Sequence, residues 1–220
     1  MARLEKEYRI ETNAKALYEA GFQMNTHCIG DGANRQMLNI YGEVLQRTND
    51  KRWRIEHAQV LHPSDFEKFK SFTILPSVQP THATSDMDWV QDRLGENRVK
   101  TTYAYQALLN QNGIIALGTD FPVEKVSPFL TFYAAVARKD LNNYPENGFQ
   151  MENALTREET LKGMTIWAAY SNFEENEKGS IEVGKMADFI ILNKDIMTVE
   201  AEKIPYIQVE ETYVGGDRVK

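Results

Sequence analysis

Apolar and polar positions follow two rhythms along most of the chain, one of helices and one of strands. Leu4, Tyr8, Leu17 and Tyr18 share one side of a helix over 4–20, with Gly21 as its stop. Phe22-Gln-Met-Asn-Thr-His27 then alternates with period two and predicts a strand. After a break at Gly30-Asp31-Gly32, the residues Met37, Leu38, Tyr41, Val44 and Leu45 form one face of an amphipathic helix. Trp53-Arg-Ile-Glu-His57 predicts a second strand. Ser64-Asp-Phe-Glu67 has the form of a capping box, opening a short helix with Phe66 and Phe69 on its apolar side. Phe72 to Val78 predicts a third strand, where Pro76 points to a strand end or bulge. Residues 79–101 are polar around Trp89 and read as a long loop. Tyr103 to Gln111 is helical, and Ile114-Ile-Ala-Leu-Gly118 is apolar throughout, as a strand buried on both faces requires. Pro128 opens a helix carrying Phe129, Phe132, Tyr133 and Val136. A polar loop over 139–154 leads to a second capping box, Thr156-Arg-Glu-Glu159, and a helix to about Tyr170.

Beyond that point the texture changes. Phe189 to Leu192 is a short strand, and Val209–Val214 and Arg218-Val219 flank Gly215-Gly216, a two-residue hairpin signal. The pattern predicts an α/β domain over 1–178, built of four strand–helix units with right-handed crossovers, and a small all-β segment over 179–220. A closed eight-unit barrel takes about 250 residues, more than this chain of 220.

Composition narrows the function classes. Hydrophobic residues make up 42% and aromatics 10%, enough for a real core. The formal charge of −7, with no basic stripe, disfavours nucleic acid. No segment approaches the ~20 apolar residues of a membrane span, and the charged start lacks a signal-peptide pattern, so a cytoplasmic protein is expected. One cysteine, Cys28, rules out an internal disulfide and a cysteine-based zinc cluster. Dinucleotide, P-loop and Gly-x-Ser-x-Gly motifs are absent.

The four histidines carry the chemical signal. His27 closes the first predicted strand, His57 the second, His82 lies just past the third, and Asp120 follows the fourth. Ligands of α/β folds bind at that rim. Neutral imidazoles bind zinc-like ions, a carboxylate can ligate the same ion, and the ion brings the pKa of a bound water to near 7. Each residue also has a plain structural reading: a strand-end histidine can be a hydrogen-bonded core residue, and Asp120 can cap the next segment. His62, before Pro63, reads as structural, Cys28 as a small core residue, and Asp31 as a carboxylate opening a helix. Trp89, Phe121 and Phe129 are candidates for an apolar pocket, with a core role favoured for Phe129.

The segments Asn25-Thr-His27-Cys-Ile-Gly-Asp31-Gly-Ala33, Arg54-Ile-Glu-His57-Ala-Gln59, Ser77-Val-Gln-Pro-Thr-His82 and Gly118-Thr-Asp120-Phe-Pro-Val123 resemble the metal-dependent amidohydrolase superfamily, and within it the YtcJ-like group, amidohydrolase family 3. Gly179-Ser-Ile-Glu-Val-Gly-Lys-Met-Ala-Asp188-Phe-Ile-Ile-Leu192 resembles that family's return from barrel to β-sandwich. The resemblance implies the C-terminal half of a (β/α)8 TIM barrel, followed by part of a small β-sandwich. It implies a divalent metal, zinc being expected, with one or two ions in the complete site. His27 and His57 match the ligands after the fifth and sixth strands, and Asp120 the eighth-strand aspartate that is both ligand and proton shuttle. His82 resembles a substrate-contacting residue near the seventh strand; apart from the resemblance, the aromatic residues Trp89 and Phe121 near the rim point to substrate contact through an apolar group. The implied reaction is hydrolysis of a non-peptide C–N bond in a small amide or cyclic amide. The family's His-x-His pair and lysine have no counterpart in this sequence. Two other readings therefore stand beside the hydrolase: a non-catalytic fragment that folds by association through exposed sheet edges, for example as a homodimer, and a metal-free module binding a small molecule at the same rim.

Overall fold

The computed structural model describes the backbone of residues 2–220 and the side chains from Arg9 onward, so the expected apolar positions Leu4 and Tyr8 lie outside the described residues. In chain order the helices and strands are α1 (Ala2–Glu19), β1 (Asn25–Cys28), α2 (Asp31–Leu45), β2 (Arg54–His57), α3 (Phe66–Ser71), β3 (Leu75–Val78), α4 (Pro80–Arg98), α5 (Tyr105–Asn112), β4 (Ala116–Leu117) and α6 (Pro128–Ala137). They continue with α7 (Arg157–Met164), α8 (Ile166–Ser171), β5 (Phe189–Leu192), β6 (Val209–Val214) and β7 (Asp217–Arg218). The expected α/β alternation of four strands with helices, followed by a small antiparallel sheet, is present. The chain divides into two compact units, one of residues 1–78 with 94–115 and one of 79–93 with 116–220.

In the first unit β1, β2 and β3 lie side by side in parallel, in register from Asn25↔Arg54 to Cys28↔His57 and from Arg54↔Leu75 to Glu56↔Ser77. Two strands start later than the alternation predicts. At β1 the ladder opens only where the Arg54 amide donates to Met24 O (3.0 Å). At β3, Thr73 takes a left-handed φ of 53°, which separates Phe72 at the end of α3 from the extended run. Pro76 sits inside β3 and does not break it. Backbone groups of a strand point alternately to its two sides, and Leu75 N–H donates to Trp53 O (2.8 Å). The N–H that Pro76 lacks therefore belongs to the side away from β2.

The core of this unit is aromatic. Trp53, Tyr41, Phe69, Tyr103 and Tyr105 are buried together with Leu38, Ile55, Leu61 and Ile74. The helical face read from Met37, Leu38, Tyr41, Val44 and Leu45 is the buried face of α2. Gly42 completes that face, because a Cβ there would lie 2.6 Å from Cε2 of the Phe72 ring. Gly42→Ala is expected to lower stability by about 1–3 kcal/mol through overpacking, read as a lower thermal midpoint with unchanged secondary structure. A midpoint at or above that of the unmodified protein would show that the ring yields freely.

The capping box expected at Ser64–Glu67 does not form. The chain makes a 3-10 turn over Pro63–Asp65, and the cap is His62, whose Nδ1 accepts from Ser64 N–H at 3.2 Å. Pro63 in the first position of the turn moves the start of the element forward and leaves His62 in the capping place. The structural reading of His62 holds.

The stretch read as a polar loop after β3 is the helix α4, interrupted at Gly95 with φ 76°. Pro80 starts it, and burial is confined to Pro80, Thr81, His82, Ala83 and Val90. A helix that buries little more than its first turn has no apolar stripe, so the periodicity is silent. The Thr156–Glu159 capping box forms as read. The helix behind it breaks at Thr165 into α7 and α8, where the backbone of Gly179 passes: a Cβ on Gly179 would lie 2.9 Å from Ile166 Cα. Phe129, Phe132, Tyr133 and Ala137 of α6 form one core with Ile204 and Ile207, joined by Leu192, Ile196 and Val199. Arg157 locks this tail by donating to the carbonyls of Ile196 and Val199. The sheet β5–β6–β7 is antiparallel, and Gly215 and Gly216, both at positive φ, make the expected two-residue hairpin turn.

Candidate active site

Of the residues singled out from the sequence, His27 and His57 belong to the first unit, and His82 and Asp120 to the second. In the first unit, His27 and His57 meet edge to face with ring centroids 4.5 Å apart and planes at 74°. Strand alternation alone would keep them apart, because His57 is paired with Cys28 and His27 with Glu56. His57 and Ala58 leave the extended conformation, at φ 75° and 44°. A positive φ swings the Cβ out of the strand's alternation, and it brings the His57 ring to the side of His27. Positive φ is uncommon for residues other than glycine and costs on the order of 1–3 kcal/mol, and such strain collects at functional sites. His57 is buried and His27 exposed. Two adjacent imidazoles, one of them open to solvent, suit a borderline ion such as zinc in donor type and in access.

Cys28 is buried, as read from its place opposite His27, and burial pushes its thiol up to about 12. It stays a protonated thiol at neutral pH and offers no nucleophile.

In the second unit His82 lies between two carboxylates. Its Nε2 is 3.2 Å from Asp120 Oδ2 and its Nδ1 3.3 Å from Glu124 Oε1. Ser85 Oγ donates to the same Glu124 oxygen at 2.7 Å. The local chain explains the cluster. Asp120 follows β4 at φ 58°, and its carbonyl accepts from Val123 N–H (2.8 Å) and Glu124 N–H (3.4 Å). That turn returns Glu124 beside Asp120, while the first two turns of α4 supply His82 and Ser85.

Glu124 completes this cluster and is not among the residues singled out from the sequence. The available signal was its spacing, four residues after Asp120 in a stretch with Pro122, which favours a turn. Trp89 and Phe121 do not join either group: both are exposed, and Phe121 N–H donates to Thr119 Oγ1 at 3.2 Å. Phe129 is a core residue. Beside Glu124 the second unit has an open cleft of about 180 Å³, with Leu130, Tyr133 and Leu141 as apolar lining and Lys125 and Lys139 as cations. Neither Trp89 nor Phe121 lines it. No helix among the described residues is long and apolar enough to cross a membrane.

Comparison with known proteins adds the family. A family model described as "Amidohydrolase family" matches residues 2–220. The chain is 37% identical over 204 residues to "Protein LONG AFTER FAR-RED 3" of Arabidopsis thaliana, covering 91% of this chain and 34% of that protein. It is 31% identical over 201 residues to "Putative amidohydrolase YtcJ" of Bacillus subtilis (strain 168), covering 91% and 38%. It is 27% identical over 198 residues to "N-substituted formamide deformylase" of Arthrobacter pascens, covering 89% and 36%. Among solved structures it resembles an uncharacterized metal-dependent hydrolase from Pyrococcus horikoshii OT3, with a TM-score of 0.76 and 28% identity over 89% of this chain and 38% of that one. The chain thus spans little more than a third of the length of the proteins it matches.

Proposed function

Because the chain belongs to the amidohydrolase family, we propose that it carries part of the active site of a metal-dependent hydrolase that cleaves a non-peptide C–N bond in a small amide or cyclic amide. The observation that carries this reading is the Asp120 carboxylate, held by His82 in the loop after β4 in a left-handed backbone conformation. The name of the Arthrobacter relative, a deformylase of N-substituted formamides, supports the bond type.

In this reading His27, His57 and Asp120 hold a divalent ion, with zinc the best match to two imidazoles and a carboxylate. Such an ion, when bound, supplies charge stabilisation and a water acidic enough to react at neutral pH. The remaining work falls to side chains. Asp120, steadied by His82 at Oδ2, takes a proton from the attacking water and returns it to the departing nitrogen. Glu124, fixed by Ser85, keeps the His82 ring from turning away. We further propose residues 179–220 as part of a small β-sandwich.

Metal analysis of the purified chain and assays on N-acyl and cyclic amides test the proposal. The expected result is a bound divalent metal, with turnover that a chelator removes and added metal restores. Protein that holds no metal and shows no metal-stimulated turnover would overturn it.

A further inference from the structure

We propose that Asn34 is a positioning residue that sets the distance between His27 and His57 by clamping the carboxyl ends of β1 and β2 together. The inference rests on the reading of those histidines as metal ligands, and it assigns a role to a residue outside that set.

Asn34 lies in the first turns of α2, where side chains point back toward the helix N-terminus. It is fully buried, and its amide nitrogen lies among four backbone carbonyls: Gly30 O and Val60 O at 3.0 Å, Cys28 O and Ile29 O at 3.2 Å. Three belong to the turn that leaves β1, starting one residue after His27. The fourth lies three residues after His57. An NH2 group has two hydrogens, so it is shared among these acceptors, and its orientation is forced: the amide oxygen in its place would face four carbonyl oxygens. Val60 N–H donates to Ile29 O at 2.9 Å beside it, which closes the clamp. Hydrophobic packing would call for an apolar residue here, and a helix cap would place the side chain on its own backbone alone. Only a link between the two strand ends accounts for the contact to Val60.

The same helix carries a second tie at the other end of the strands. Tyr41 hydroxyl lies 3.1 Å from Met24 O and 3.2 Å from Arg54 O, at the amino ends of β1 and β2. Tyr41→Phe removes that link, along with the 2.7 Å hydrogen bond between Tyr41 hydroxyl and Thr26 Oγ1, while leaving the carbonyls around Asn34 in place, and it is the control for Asn34→Ala. Asn34→Ser, smaller and with one donor, serves if Asn34→Ala folds poorly.

Two readouts are taken. Proton NMR of the unmodified chain is expected to give cross-peaks between the ring protons of His27 and His57. These should vanish in Asn34→Ala or Asn34→Ser and persist in Tyr41→Phe. Zinc affinity, from competition with a chromophoric chelator, is expected to fall about 10- to 100-fold in the Asn34 variants, as for other residues that orient metal ligands, and to stay within about threefold in Tyr41→Phe. Cross-peaks that survive in the Asn34 variants, or that Tyr41→Phe loses equally, would overturn the positioning role. If the unmodified chain binds no zinc while the NMR contrast holds, the metal reading of these histidines falls and the positioning role stands.

Discussion

Asp120→Asn is expected to lower metal-stimulated amide hydrolysis by about 10²- to 10⁴-fold, the range over which a positioned general base contributes. The substitution keeps the shape of the side chain and an oxygen able to face His82 Nε2, now 3.2 Å from the carboxylate. It removes the negative charge and the capacity to hold a transferred proton. The loss should therefore appear in kcat more than in KM, because binding of a neutral amide asks little of that charge. Metal content measured on the same samples separates the two roles given to this residue. Metal retained with turnover lost marks the proton carrier, and metal lost with it marks the ligand. Turnover within about threefold of the unmodified protein would remove Asp120 from the chemistry.

The second large effect concerns stability. Trp53→Ala is expected to destabilise the first unit by about 3–5 kcal/mol, the usual cost of deleting a buried aromatic. Trp53 is fully buried beside β2 and packs edge to face on Tyr41, with centroids 4.9 Å apart. Its indole Nε1–H donates to Phe22 O at 3.0 Å, so truncation also leaves a carbonyl without its donor. Trp53→Phe keeps most of the volume and loses only that donor, and about 1–3 kcal/mol is expected for it. Urea denaturation, followed by circular dichroism, measures both. A loss below about 1 kcal/mol for the alanine variant would mean that α2 is held on the strands by other contacts, contrary to the packing described.

What the sequence carries about this protein is uneven, for physical reasons. Met37, Leu38, Tyr41, Val44 and Leu45 predict α2 correctly because burial on one face imposes a period, and Thr156 and Glu159 predict a helix start because a cap needs those side chains. The polar helix α4 leaves no such trace: past its first turn, Val90 is the one buried residue. The candidate site shows the same division. His27, His57, His82 and Asp120 are legible as polar residues at strand ends. The contact of His27 with His57 is not, because it depends on a left-handed φ at a histidine, which no local rule demands. Asn34 and Glu124 carry no such signal, because an asparagine in a first turn and an acid in a loop are ordinary. Their roles come from partners far along the chain, Val60 for Asn34 and His82 for Glu124.

The core that α6 shares with the tail has a consequence for the order of synthesis. Phe132 and Tyr133 leave the ribosome about 70 residues before Ile204 and Ile207, their packing partners. At roughly 5–20 residues per second, these aromatic faces wait several seconds for their cover. The first unit has its last residues by position 115 and is under no such delay. During translation the chain therefore passes through an interval in which one half can be native and the other presents a bare aromatic helix, the kind of surface that chaperones bind.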